Sequence, residues 1–280
     1  QTEAMLEDAE AVMQAARAAA PDAIIHLAAQ AGVRYSLEAP RAYIDSNLVG
    51  TFNVMEAARE LKVGHLLMAS TSSVYGANEE MPFRETDKAD HPLTIYAATK
   101  KANEAMGHAY AHIHDLPVTM FRFFTVYGPW GRPDMAPFKF TKAILAGEPI
   151  DIYNNGEMWR DFTYVTDLVQ GIADLIAAIP ARPATRAAIA EGDSLSPAAP
   201  FRVVNIGNGQ KVRLMDFIEA IEVATGKKAL RNYLPMQIGD VPATWADASL
   251  LHGLTGGCPA TDVRDGMQAF VEWYRGFYRV

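Results

Sequence analysis

The sequence predicts an α/β fold with a doubly wound parallel sheet and a smaller C-terminal α/β lobe. In the first 128 residues, short and nearly continuous apolar runs alternate with segments of helical periodicity. Strands that are apolar on both faces are typical of a parallel sheet covered by helices on both sides. Beyond Gly128 the chain becomes rich in Gly and Pro before shorter helices and strands follow, which indicates a second, smaller unit.

The elements of the first part follow from the apolar pattern. Met5, Ala9, Val12 and Ala16 recur at helical spacing, and Pro21 breaks that helix. The later helices show the same period, whereas the buried strands are uninterrupted apolar runs. The predicted order is a helix at 5–16, a strand at 23–29, a helix at 47–62, a strand at 65–70, a helix at 95–114 and a strand at 118–128.

The second part is predicted by the same rules. Residues 181–200 are rich in Pro, Ala and Ser, and we expect them to form an exposed loop. The other elements are a helix at 138–146, a strand at 149–153, a strand that leads into a helix within 162–179, a strand and turn at 201–209, and helices at 212–225 and 263–277. We assign residues 1–128, with parts of 155–180 and 201–210, to the sheet domain, and residues 129–154 and 211–280 to the lobe.

Composition and charge exclude several classes of protein. The chain has 25 Lys and Arg against 33 Asp and Glu, a net charge of −8 that disfavours nucleic acid and anionic membranes as partners. No apolar run approaches the ~20 residues of a membrane span. The single cysteine, Cys258, excludes an internal disulfide and a cysteine-based zinc site, and we expect a cytoplasmic protein. His108 and His112 lie one helical turn apart without an evident third ligand, so we expect them to face solvent and predict no metal.

Tyr96 and Lys100 form the first chemical motif. They lie four residues apart at the start of a predicted helix, so their side chains share one face. A tyrosine with a pKa of ~10 needs a nearby cation to act as a base at neutral pH, and the lysine supplies one. The hydroxyl cluster of residues 70–73 follows a buried strand, and open α/β sheets place their sites at such strand ends. A short motif of this kind also occurs by chance, but its setting favours catalysis.

Five segments carry a resemblance to a known family. In chain order they are IIHLAAQAGVRYS, the helix that opens at Asn47, ASTSSVYG, YAATK and FRFFTVYGPWGRPDM. Together they resemble the extended short-chain dehydrogenase/reductase family of nucleotide-sugar enzymes, and the likeness covers nearly the whole chain. The resemblance implies a Rossmann-like NAD-binding domain at residues 1–128 and a substrate-binding lobe. It also implies NAD as cofactor, a UDP-sugar as substrate and a homodimer formed through the helices at 47–61 and 95–114.

The resemblance also assigns roles to individual residues. Thr71 would bond the reacting hydroxyl, Tyr96 would be the base, and Lys100 would support the base and hold the nicotinamide ribose. The remaining residues expected along the NAD are Leu27, Ala28, Ala29, Gln30, Asn47, Ser70 and Phe123.

The residues after Thr71 distinguish members of this family. Dehydratases of the family carry Asp-Glu there, and UDP-xylose-forming decarboxylases carry Glu at the position of Ser73, whereas this chain has Ser72 and Ser73. Epimerisation is therefore the better expectation. TVYGPWGRPDMA resembles the uronate 4-epimerases, which interconvert UDP-glucuronate and UDP-galacturonate. Ser72, Ser73 and Thr125 could donate hydrogen bonds to a C6 carboxylate, and Arg132 could pair with that carboxylate or with the diphosphate.

Other substrate contacts are implied in the lobe. Arg160 resembles the family arginine that neutralises the diphosphate, Tyr153 would lie against the uracil, and Asp240 would accept hydrogen bonds from the ribose hydroxyls. Gln237 stands where galactose epimerases carry an arginine. Another nucleotide-sugar epimerase, a decarboxylase and a non-catalytic nucleotide-sugar-binding protein stay open as alternatives.

The glycine-rich turn that cradles the NAD pyrophosphate in this family does not occur in these residues. We therefore expect a segment upstream of Gln1 in the intact protein, and weak NAD binding by residues 1–280 alone.

Overall fold

The helices and strands alternate through the first half of the chain, as the apolar pattern predicts. The computed structural model describes residues 1–237 and 241–280. The helices are α1 (Ala9–Ala19), α2 (Tyr35–Glu38), α3 (Pro40–Tyr43), α4 (Gly50–Leu61), α5 (Ile95–His114), α6 (Ala136–Ala146), α7 (Val165–Ala177), α8 (Leu214–Thr225), α9 (Ser249–Thr255) and α10 (Val263–Tyr278). The strands are β1 (Ala23–His26), β2 (His65–Ala69), β3 (Val118–Phe123), β4 (Thr125–Tyr127), β5 (Pro149–Ile152), β6 (Trp159–Arg160), β7 (Phe162–Tyr164), β8 (Phe201–Ile206), β9 (Val212–Arg213), β10 (Leu230–Tyr233) and β11 (Ala243–Thr244).

The main sheet has four parallel strands in the order β1-β2-β3-β8. Successive side chains of a strand point to opposite faces, and both faces are apolar here. Leu66 and Met68 of β2 pack with residues of α4 and α5, whereas Leu67 packs with residues of α7 and α9 on the other face. Helices therefore cover the sheet on both sides, which confirms the predicted doubly wound fold.

The lobe has a core of its own, built on α6, α8 and α10. Phe217, Ile218 and Ile221 of α8 pack against Phe138 of α6 and Met267 of α10. Short sheets connect this core to the main sheet: β4 pairs with β7, β5 with β10, and β6 lies between β9 and β11. They bring the lobe to the carboxyl end of the parallel strands, where the predicted site lies.

Three features differ from the sequence-based expectations. The run 118–128 is split at Phe124 into β3 and β4, because β3 pairs with β8 whereas β4 pairs with β7 in a different sheet. α9 packs through Leu251 against the sheet face that α7 covers, so the assignment of all of 211–280 to the lobe is too broad. Residues 181–192 are largely exposed, but the end of the expected loop packs inward, with Ser196 and Ala199 buried.

No helix in the described part of the chain is long and apolar enough to cross a membrane.

Candidate active site

Tyr96 and Lys100 lie in the first turns of α5, next to the end of β2. The helix begins here because Thr94 has an extended backbone and its hydroxyl accepts a hydrogen bond from the Ala97 amide at 3.2 Å. Thr71 lies two residues after the last residue of β2, at the carboxyl end of the parallel sheet. The predicted base and the predicted hydroxyl donor are thus brought together by a helix start and a strand end.

Opposing effects act on the pKa of the Tyr96 phenol. Burial raises its pKa, while a hydrogen bond with the Thr71 side chain and the charge of Arg132 lower it. The ring of Tyr43 lies edge-on to Tyr96 with the ring centroids 6.0 Å apart. Tyr43 is itself fixed, because its hydroxyl donates to the Gly32 carbonyl at 2.6 Å. The phenol is therefore held in a defined orientation between Thr71 and Tyr43.

Lys100 is nearly inaccessible to solvent, with 3% of its surface exposed. Its Nζ donates to the Ala69 carbonyl at 2.8 Å, and burial lowers the pKa of its ammonium group to about 8. The pKa of the His26 imidazole is lowered to about 4, mainly by burial and also by the charge of Lys100. Lys100 is thus a buried cation below the pocket, and the nearby His26 is neutral.

Asn47 joins the end of β1 to the helix that carries Tyr96. Its Oδ1 accepts from the Gln30 amide at 2.8 Å, and its Nδ2 donates to the Gln30 carbonyl at 3.1 Å and to Thr99 Oγ1 at 3.1 Å. Thr99 in turn donates to the Tyr96 carbonyl at 2.9 Å. Asn47 is fully buried, so its contribution to the site is to hold these two segments in register.

The other residues expected along the cofactor divide into two groups. Leu27 and Ala28 are exposed and Ala29 is half-buried, so the chain after β1 presents an open surface of mostly small side chains. Ser70 is buried and its hydroxyl donates to Glu104 Oε1 at 2.7 Å, so its side chain is committed to the protein interior. Phe123 stacks on Phe121 within the apolar core, with centroids 5.6 Å apart. A cofactor contact from Ser70 would have to come from its main chain.

A pocket beside Tyr96 collects four of the predicted substrate residues. Ser72, Ser73, Thr125 and Arg160 all line it, and so does Ala97 next to the base. The loop before α5 closes another side, at Gly76, where φ is +55° and an added Cβ would lie 2.0 Å from the His91 carbonyl oxygen. Several hydroxyls and a guanidinium on a single pocket suit an anionic, hydroxyl-bearing ligand.

The two candidate arginines occupy different places. Arg160 is oriented by main-chain carbonyls, donating to those of Trp159 and Val241 at 2.8 Å each. Arg132 lies near Tyr96 and Tyr43, where its charge acts on both phenols, and it forms an ion pair with Asp134. Arg160 thus lines the pocket, whereas Arg132 lies near the phenol groups of Tyr96 and Tyr43.

Two of the remaining predicted substrate residues, Tyr153 and Gln237, lie in the lobe. The Arg34 guanidinium covers the ring of Tyr153, 5.1 Å from its centroid. Gln237 is half-buried, and Asp240 lies outside the described residues.

Sequence reasoning missed a buried polar layer beneath the site. Glu104 of α5 and Arg122 of β3 form an ion pair, with N–O distances of 2.9 Å and both side chains 3% exposed. Asp161 is fully buried between β6 and β7. One signal was available, since Arg122 interrupts an apolar strand and a buried charge requires a partner.

The histidine pair agrees with expectation only in part. His112 is exposed, as expected, whereas His108 is half-buried. His108 Nε2 lies 2.8 Å from Ser196 Oγ, and His112 Nδ1 lies 2.8 Å from the Ala198 carbonyl oxygen. They anchor the end of the 181–200 segment on α5. Within the ranges 1–237 and 241–280, no cluster of His, Cys, Asp and Glu has the geometry of a metal site.

Comparison with known proteins gives a consistent result. Residues 2–187 match the sequence profile described as the NAD dependent epimerase/dehydratase family. A protein named probable UDP-glucuronate 4-epimerase, from Rhizobium meliloti (strain 1021), is 58% identical over 276 residues, which are 99% of this chain and 81% of the relative. UDP-glucuronate 4-epimerase 1 of Arabidopsis thaliana is 44% identical over 260 residues, 91% of this chain and 59% of that protein.

Solved structures agree with the sequence relatives. The crystal structure of a UDP-glucuronic acid 4-epimerase from Bacillus cereus, in complex with UDP-glucuronic acid and NAD, superposes with a TM-score of 0.81 at 30% identity. The superposition covers 95% of this chain and 79% of that one. A UDP-glucose 4-epimerase from Thermotoga maritima superposes with a TM-score of 0.86 at 26% identity, over 99% of this chain and 84% of the other.

Proposed function

This chain belongs to the NAD dependent epimerase/dehydratase family, and we propose that it interconverts UDP-glucuronate and UDP-galacturonate by inverting the sugar at C4. The observation that carries the choice of sugar is the pocket in which Ser72, Ser73 and Thr125 lie together with Arg160. Neutral hydroxyls can donate to a C6 carboxylate, and the guanidinium suits a diphosphate. The 58% identity to a probable UDP-glucuronate 4-epimerase supports the same choice.

The residues at the end of β1 fit a bound NAD. Ala28 is exposed and Ala29 half-buried, so a flat ligand can approach the main chain closely, and Lys100 lies beneath the site. NAD bound there would supply the acceptor for the C4 hydride and the donor for its return to the opposite face of the sugar. We assign Leu27, Ala28, Ala29 and Gln30 to contacts along the cofactor.

Tyr96 handles the proton in this mechanism. It takes the proton of the C4 hydroxyl as the hydride leaves, and it returns the proton to the oxygen of the 4-keto sugar when the hydride comes back, so the sugar undergoes no net oxidation. Thr71 supports this step by bonding to Tyr96 and to the reacting oxygen. The hydrogen bond with Thr71 and the charge of Arg132 favour the phenolate, which burial disfavours. We assign the same role to the positive charge of Lys100.

Product analysis tests the reaction. The intact protein is incubated with UDP-glucuronate and NAD, and the nucleotide sugars are separated by chromatography. UDP-galacturonate as the product supports the proposal. A UDP-pentose would instead identify a decarboxylase, and unchanged UDP-glucuronate would identify a binding protein.

Tyr96→Phe removes the base while keeping the ring. We expect epimerisation to fall by about 10³-fold or more, whereas UDP binding, measured by calorimetry, stays close to that of the wild type. Turnover by the variant at the wild-type rate would refute the assigned role of Tyr96.

We also propose that the protein forms a homodimer through α4 and α5, and that it works in the cytoplasm. Apolar side chains are exposed on the outer faces of these helices, with Phe52 45% and Ile113 69% exposed, which supports an interface there.

The free and exposed thiol of Cys258 suits a reducing compartment. Cell fractionation tests the location.

A further inference from the structure

Asp161 is a fully buried carboxylate that the proposed mechanism does not use. It lies between β6 and β7, and its exposed fraction is 0%. Its Oδ1 accepts from the Asn208 amide at 2.7 Å and from the Thr163 hydroxyl at 3.2 Å. Its Oδ2 accepts from the amides of Gly209 at 2.9 Å and Ala246 at 3.1 Å. One side chain thus fixes segments that are far apart in the sequence.

The main chain of Asp161 reaches both sides of the substrate pocket. Its carbonyl accepts from the Thr125 amide at 3.0 Å, and its amide donates to the Thr244 carbonyl at 2.9 Å. Thr125, Thr244 and Arg160, the residue before Asp161, all line the pocket. The main chain at Asp161 therefore connects the segments that carry the Thr125 hydroxyl and the Arg160 guanidinium.

The surroundings of the carboxylate leave it little freedom. A Cβ added to Gly207 would lie 2.7 Å from Asp161 Oδ2 and 2.7 Å from the Ala246 Cβ, so the backbone approaches too closely for any other residue type there. A buried carboxylate that accepts several hydrogen bonds holds its donors strongly, because each buried donor left without a partner would lose its hydrogen bonds to water without replacement.

We propose that Asp161 is a positioning residue for the nucleotide sugar, which sets the spacing between Thr125 and Arg160 and thereby controls substrate affinity. It touches neither the substrate nor the base, and acts through the two pocket walls that its main chain joins. Removing its acceptor should therefore weaken binding and change the chemical step much less. This inference rests on the proposed function, because it takes Arg160 and Thr125 as substrate contacts.

Asp161→Asn is the isosteric test. The amide keeps one acceptor oxygen, but in either orientation its NH2 group replaces an oxygen that now accepts from a backbone N–H, either that of Asn208 or those of Gly209 and Ala246. We expect the Kd for UDP, measured by calorimetry well below the melting temperature, to rise about tenfold or more. The KM for UDP-glucuronate should rise in parallel, with kcat within about threefold of the wild type.

Asp193→Asn is the matched control for a purely structural effect. Asp193 is another largely buried acid, bound to Arg202 at 2.9 Å, and the pocket lining does not include it. We expect this variant to melt at a lower temperature and to bind UDP as the wild type does. An equal loss of UDP affinity in Asp193→Asn would overturn the inference, because general destabilisation would then explain both variants.

Thr163→Val keeps the proposal testable if Asp161→Asn does not fold. It removes one hydroxyl donor and leaves the backbone donors in place, and we expect a rise of two- to threefold, roughly, in the Kd for UDP with an unchanged circular dichroism spectrum. Wild-type UDP affinity in a folded Asp161→Asn protein, or in Thr163→Val if the former does not fold, would overturn the inference. Wild-type protein that binds UDP without converting UDP-glucuronate would refute the proposed reaction and leave this inference standing.

Discussion

Lys100 combines deep burial with a charge that the site requires. Its Nζ has the Ala69 carbonyl as an acceptor at 2.8 Å, and burial lowers its pKa to about 8. Below that pH the ammonium form predominates, so the charge that we propose to stabilise the Tyr96 phenolate is largely present at neutral pH. The charge weakens as the pH rises through about 8, whereas deprotonation of Tyr96 itself is favoured by the same rise. We therefore expect protonation of Tyr96 to limit activity at low pH, and loss of the Lys100 charge to limit it at high pH.

Lys100→Met tests this at the level of one residue. The substitution keeps an unbranched apolar stem and removes the charge, so we expect kcat for epimerisation to fall by about 10²–10⁴-fold. UDP affinity should change little, because Lys100 does not line the pocket that holds Arg160. Steady-state kinetics and UDP calorimetry on the same preparation give both values. Lys101→Met, on the neighbouring half-buried lysine, is the control and should retain activity. An active Lys100→Met enzyme would contradict the role assigned to the charge.

At the scale of the elements, Glu85 attaches the segment 76–94 to the main sheet. Glu85 Oε1 accepts from the Asn205 amide of β8 at 2.8 Å, and Arg122 donates to the Glu85 carbonyl at 3.3 Å. Asp247, Tyr75 and Arg122 are the charged and titratable groups around its carboxyl. Burial raises the pKa of this carboxyl to about 7, with Asp247 adding to the effect, although the Asn205 hydrogen bond opposes it.

This raised pKa makes stability depend on pH. The folded protein retains a proton on Glu85 between pH 4.5 and about 7, whereas the unfolded chain has already lost it. The contribution of Glu85 to stability therefore falls as the pH rises through this window, by at most ~3 kcal/mol. His26 acts in the opposite direction between about pH 4 and 6.5, because its pKa is lowered on folding. Glu85→Gln should remove the contribution of Glu85, so the stability of the wild type relative to Glu85→Gln should fall between pH 5 and pH 7.5, as measured by urea unfolding of both proteins. Glu80→Gln, on an exposed acid of the same segment, should leave it unchanged. Parallel pH profiles for wild type and Glu85→Gln would show that the carboxyl does not titrate in this range.

Helix and strand boundaries were predictable where their causes are local. The prediction for α5 matches the structure at both ends, because an N-cap at Thr94 and a continuous helical pattern lie within the segment itself. The run 118–128 was predicted as one strand and is two. Its break at Phe124 arises because β3 and β4 pair with strands far along the chain, and an apolar pattern carries no record of pairing partners.

The same distinction applies to the site as a whole. Tyr96, Lys100, Ser72 and Thr125 could be identified because motif spacing and family resemblance mark them, and the last two lie on one pocket. Asp161 could not be identified, since its donors are mostly backbone amides of residues 208, 209 and 246, which any residue type could supply. Residues that act through main-chain partners leave little trace in a single sequence.

At the scale of the whole molecule, the outer faces of α4 and α5 predict a dimer that one substitution can dissociate. Phe52 of α4 is 45% exposed and lies edge-on to Tyr110 of α5, with centroids 6.4 Å apart, so it lies on the seam between the two helices. In a two-fold interface each substitution acts twice, and Phe52→Glu would place a carboxylate from each protomer in an apolar contact. We expect light scattering after size exclusion to report half the wild-type mass for this variant.

Val223→Glu changes an exposed apolar residue of the lobe, 75% accessible on α8, and should leave the dimer intact. Wild-type protein that is monomeric at micromolar concentration, or a Phe52→Glu protein that stays dimeric, would exclude this interface. Tyr96 lies on α5 as well, so loss of activity in the monomeric variant would further indicate that the partner helix steadies the catalytic one.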